Sequence, residues 1–96
     1  MILDLSDEAR ADIIDIHDYS VGQWGVARAD SYLEDLTVQI ERLVAGQYSG
    51  TKVDEVGRGL RRQVCGRHVI WFRVNADVLR VVRVLHQSRD AGRWVE

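Results

Sequence analysis

The 96-residue chain has no proline, one cysteine and one lysine. The lone Cys65 has no partner for an internal disulfide, which points to a reducing cytoplasmic location. The histidines, His17, His68 and His86, fall at no metal-ligand spacing and have no second cysteine beside them, so no metal is expected. No apolar run approaches the roughly 18 residues that a membrane span requires. The opening Met-Ile-Leu-Asp-Leu lacks the basic and long apolar regions of a secretory signal. None of the serines or threonines sits in a nucleophile elbow. Gly57-Arg58-Gly59 is too short to cradle a phosphate, so no cofactor is expected. The length fits one domain with a single modest core.

The charge is uneven along the chain. The net charge of -2 divides into -7 over residues 1–48 and +5 over residues 49–96. All the basic residues except Lys52 are arginines, the residue suited to planar, bidentate recognition of carboxylate or phosphate. Charge asymmetry of this kind suggests one basic functional face.

The hydrophobic pattern predicts the elements. Residues 2–5 form a short strand, and Ser6 caps a helix whose first turn carries Asp7 and Glu8, complementing the helix dipole. Ala9, Ile13, Ile16 and Tyr19 recur at helical spacing, with Asp12, Asp15 and Asp18 on the wet side. Gly22 and Gly25 bracket Trp24 at the helix end. A second helix from Val26 to about Gly46 buries Ala29, Tyr32, Leu33, Leu36, Ile40 and Leu43, making an antiparallel helical hairpin. Residues 46–59 are a polar, glycine-rich loop. Three strands follow at 60–65, 68–74 and 78–86, rich in Val, Ile, Trp and Phe. Residues 87–96 form a tail, as a short helix or an arm. The order β-α-α-β-β-β implies an α+β fold with the helical hairpin on one face of a small antiparallel sheet.

The turns set the pairing. Gly66-Arg67 places Arg61 opposite Phe72, Arg62 opposite Trp71 and Cys65 opposite His68. A three-residue second turn, Asn75-Ala76-Asp77, sets Trp71 against Val81 and Ile70 against Val82. Ile70, Val82 and Val84 then share one face, and Val69, Trp71, Val81 and Leu85 the other. Two helices cover only one of them. The other is expected to be an open apolar platform ringed by arginines, a surface that invites a partner.

Several segments in order resemble the ParE branch of the RelE/ParE superfamily of type II toxins. These are Ala9-Arg10-Ala11-Asp12-Ile13 with Ile16 and Tyr19, then Trp24-Gly25 with Ala27, Ala29 and Tyr32. Gly59-Leu60-Arg61-Arg62, Gly66 and His68-Val69-Ile70-Trp71-Phe72-Arg73 follow, and then Arg83-Val84-Leu85-His86 with Arg89-Asp90. Proline, common in the family's loop after the second helix, is absent here. The resemblance implies a ParD-like antitoxin whose acidic, helical segment would dock on Trp24, Arg61, Arg62, Trp71, Arg73 and Arg83. It places the toxic contacts at His86, Arg89, Arg93 and Trp94, with DNA gyrase as target and nucleic acid met only through a partner or the target. It also leaves open a ribosome-dependent messenger RNA nuclease of RelE type, in which His86 would serve acid–base chemistry, and a non-toxic binding module.

Overall fold

The computed structural model describes residues 1–95. The elements follow in the order β1 (Ile2–Leu5), α1 (Asp7–Trp24), α2 (Val26–Val44), β2 (Thr51–Lys52), β3 (Arg61–Cys65), β4 (His68–Asn75), β5 (Val78–His86) and α3 (Ala91–Trp94). They build a five-stranded sheet in the order β1-β5-β4-β3-β2, with the helical hairpin packed on one face. The α+β architecture is as expected. The sheet, however, is mixed: β1 lies parallel to β5, because the helical hairpin between them is a crossover that returns the chain in the same direction. The loop expected at 46–59 also contributes an edge strand, β2, pairing Thr51 with Arg62 and Lys52 with Arg61.

Ser6 caps α1 through its Oγ, which accepts from the Ala9 amide at 2.9 Å. The helix runs through Gly22 to Trp24, and Gly25, at φ 86°, is the only residue between the two helices. Its positive φ makes so abrupt a reversal accessible. On α1 the buried stripe ends in Ser20, whose Oγ donates to the Ile16 carbonyl at 2.7 Å. Tyr19, expected in that stripe, is 66% exposed.

The β3–β4 register is as expected, from Arg61 opposite Phe72 to Cys65 opposite His68. The β4–β5 register differs. The turn is two residues, Ala76-Asp77, with Ala76 at φ 53°, so Asn75 pairs with Val78 and Phe72 with Val81. A bulge then makes Val82 the extra residue, and Trp71 meets Arg83 while Ile70 meets Val84. The side-chain period in a strand is two, so these shifts exchange the faces of Val81 and Val82. Val81 is fully buried beneath the helices with Ile70, Phe72, Leu79 and Val84, against Leu36, Ile40 and Leu43 of α2. Each such large apolar side chain contributes about 1.5–3 kcal/mol by leaving water.

The second face is not open. Val53 and Leu60 from the loop, and Ala91 and Val95 from the tail, bury Val69, Trp71 and Leu85, with Val56 and Val82 packed at the margin. The expected apolar platform is therefore a second, smaller core that the chain covers itself. It is still flanked by arginines: Arg62 lies over the Trp71 ring at 5.6 Å.

β1 stops at Leu5, level with Val81, so the outer edge of β5 continues beyond it without a strand neighbour. α1 takes its place. The Ser6 amide donates to Val81 O at 3.0 Å, Ser6 Oγ donates to Val82 O at 2.6 Å, and the Val84 amide donates to Asp12 Oδ2 at 3.0 Å. The helix thereby meets the requirement that buried backbone groups be paired. It also fixes the distance between α1 and the end of β5, where a cleft lies.

Candidate functional site

A cleft of about 600 Å³ opens between α1 and the end of β5. One wall is Asp12, Asp15, Ile16, Tyr19, Ser20 and Trp24 of α1. The other is Val84, Leu85 and His86 of β5 with Arg67 and His68 from the β3–β4 hairpin, and Ser88, Arg89 and Trp94 of the tail close it. Three large aromatic side chains on its rim stay in water: Tyr19, Trp24 at 38% exposure and Trp94 at 43%. Two of them carry cations. Arg67 lies over the Trp24 ring at 5.4 Å, and Trp94 has Arg89 at 4.4 Å and Arg83 at 5.6 Å from its centroid.

Asp12 anchors the basic wall. Its two carboxylate oxygens accept from Arg83 Nε and Nη2, both at 2.8 Å, while Oδ2 also takes the Val84 amide. Both side chains are largely shielded, at 17% and 13% exposure for Arg83 and Asp12. Hydrogen bonding to Asp12 raises the Arg83 guanidinium above its ordinary pKa. Asp12, expected on the wet side of α1, thus faces the sheet. A bidentate pair has little freedom to turn, and Arg83 Nη1 is left directed at Trp94 O, 3.3 Å away.

The two imidazoles of the cleft differ. His68 is half-buried, and desolvation, with His86 nearby, lowers its pKa to about 4. It is therefore neutral near neutrality, and the Tyr32 hydroxyl can donate to its Nδ1 at 2.6 Å. The same hydroxyl accepts the Arg67 amide at 3.0 Å, tying α2 to the hairpin turn. Burial raises the Tyr32 pKa, so this hydroxyl keeps its proton. His86 is exposed, and its Nδ1 accepts the Ser88 amide at 3.1 Å, which leaves the ring proton on Nε2. The two rings meet edge to face at 5.5 Å.

Of the residues singled out from the sequence, Trp24, Arg83, His86, Arg89 and Trp94 converge on this cleft. Arg93 stands exposed on α3. Arg61, Arg62, Trp71 and Arg73 lie elsewhere on the sheet. Arg61 donates to Ser49 O at 3.0 Å, Arg73 donates to Arg58 O at 3.1 Å, and Trp71 is buried at 6% exposure. Sequence reasoning missed Asp12, Tyr32, Arg67 and His68 as parts of one site. One signal was present: an arginine between Val82 and Val84 at an apolar strand end requires a carboxylate partner. Which of the many acids on α1 supplies it is a matter of register.

Comparison with known proteins follows the same lines. Residues 3–91 match the family model described as ParE toxin of type II toxin-antitoxin system, parDE. The chain is 38% identical over 90 residues to Toxin ParE1 of Mycobacterium tuberculosis, covering 93% of this chain and 92% of that protein. It is 39% identical over 87 residues to Toxin ParE1 of Caulobacter vibrioides, covering 91% and 90%. Among solved structures, a chain of the chromosomal ParDE TA system from P. aeruginosa superposes with a TM-score of 0.78 at 26% identity, covering 90% of this chain and 95% of that one.

Proposed function

Because this chain belongs to the ParE family of type II toxins, we propose that it arrests growth in the cytoplasm by engaging DNA gyrase through the α1–β5 cleft, and that a ParD-like antitoxin silences it. The observation that carries the reading is the rim of exposed Trp24 and Trp94, each held against arginine. Tryptophan and arginine dominate the energetics of protein interfaces, and here they are presented already ordered. Arginines at Arg67, Arg89 and, away from the cleft, Arg61 and Arg62 suit the acidic side chains of an antitoxin segment. The tail supplies toxic contacts through Arg89, Arg93 and Trp94.

One observation favours a second reading. His86 lines the same cleft as Arg67 and Arg89, and an imidazole beside two guanidinium groups would suit acid–base chemistry at a phosphate. The purified chain should therefore be incubated with gyrase, ATP and relaxed DNA, and separately with translating ribosomes. Loss of supercoiling, relieved by prior mixing with the antitoxin, is the expected result. Message cut in the ribosomal A site with gyrase unaffected would replace the first reading with the second.

A further inference from the structure

The tail is held at three places of different character. Ala91 and Val95 are buried in the second core. Trp94 between them is 43% exposed, with the Arg89 and Arg83 guanidinium groups 4.4 and 5.6 Å from its ring centroid. α3 is a four-residue turn, too short to hold its own shape without outside anchors. Arg83 touches both the carbonyl and the ring of Trp94, and Asp12 in turn holds Arg83. A guanidinium on a long stem ordinarily turns to solvent. The Asp12 carboxylate takes Nε and Nη2 and leaves Nη1 toward the Trp94 carbonyl. Asp12 also receives the Val84 amide, so the carboxylate is itself fixed to the sheet.

We infer that Asp12 is a positioning residue: by fixing Arg83 it holds Trp94, clasped against Arg89, at the cleft mouth as the contact for the target. The inference rests on the proposed function for the identity of that target, and on the geometry alone for the placement of Trp94. Asp12→Asn separates the two roles of the carboxylate. The amide oxygen still accepts from Val84, while the bidentate pairing with Arg83 is lost. Arg83→Lys keeps the charge and removes the fork, so it should behave alike.

Both variants should remain folded, and each should lose about tenfold or more in gyrase inhibition, as expected for a hot-spot contact. Trp94→Ala should lose as much, and Asp12→Asn added to Trp94→Ala should lose no more than Trp94→Ala alone. Losses that multiply in the double variant would assign Asp12 a general structural role and overturn the inference. Acrylamide quenching of Trp94, taken as the difference from the matching Trp94→Phe protein, should rise in Asp12→Asn. Should the unaltered chain fail to inhibit gyrase, the target reading falls, and the quenching decides the positioning by itself. Quenching that is unchanged in Asp12→Asn overturns it.

Discussion

Lowering the pH from neutrality charges His68 in the unfolded chain well before it charges it in the folded one. The unfolded value is 6.5 and the folded value about 4, set first by desolvation and then by His86. A histidine whose folded pKa is depressed favours folding while it is neutral. Its contribution is complete above about 6.5, falls as the pH drops toward about 4, and is constant below that. At about 1.4 kcal/mol per pH unit the interval sets a ceiling of about 3.4 kcal/mol. His68 is only half-buried, and solvent reaching the ring reduces the expected loss to about 1.5–2 kcal/mol. In a domain of this length that corresponds to roughly 10 °C in melting temperature. Carboxylates also titrate in this window, so the assay compares the chain with His68→Asn, whose amide oxygen can still accept the Tyr32 hydroxyl. Urea denaturation at about pH 7.5 and pH 4.5 should show the unaltered chain losing that much more stability than the variant. The His68 ring proton, followed by NMR, should titrate near 4. Parallel stability curves, or a midpoint above 6, would refute the account.

The remaining expectations concern packing, the tail and the arginines. Gly50 has φ 66°, and a Cβ there would lie 2.7 Å from the Phe72 ring and 2.8 Å from the Arg62 carbonyl; Gly50→Ala should cost about 2–4 kcal/mol in urea unfolding. Truncation after Gln87 removes Ala91 and Val95 from the second core, a loss of about 2 kcal/mol partly offset by freed chain entropy. The shortened chain should melt earlier yet cooperatively, bind antitoxin and be harmless, and loss of cooperative melting would show that the tail is essential to the fold. Arg61→Ala should weaken antitoxin binding more at low salt than at high salt, measured by titration calorimetry, because its charge stands near the sheet edge.

Much of this molecule was legible in its residues, and the parts that were not share a cause. The Ser6 cap, the helical hairpin, the Gly66-Arg67 turn and the β3–β4 register are local, set by spacing over a few residues. The β4–β5 register was not legible because Ala76 occupies a positive-φ turn position that alanine seldom takes, and because a bulge at Val82 leaves no mark in composition. That error exchanged Val81 with Val82 between the faces. The second face looked open for another reason: its cover comes from Val53 and Leu60 of the loop and Ala91 and Val95 of the tail, segments without a hydrophobic period. The parallel pairing of β1 was hidden too, since a strand of only four residues carries no direction in its sequence. Within the site, arginine and tryptophan could be recognised by type. Asp12 could not, because a carboxylate on α1 acquires its meaning only when β5 lies beside it.

That meeting of the two ends has a consequence for when the protein comes into being. Ile2 pairs with Val78 and Asp4 with Arg80, so the first strand made must wait for the last. The Asp12–Arg83 pair and the edge of β5 that α1 completes are under the same delay. The helical hairpin can assemble early, as its contacts are near neighbours in the chain. The cleft cannot, because one wall of it is the final strand and the tail. Along the chain the helical hairpin is made well before β5, and the cleft can form only once residues 83–94 have joined α1.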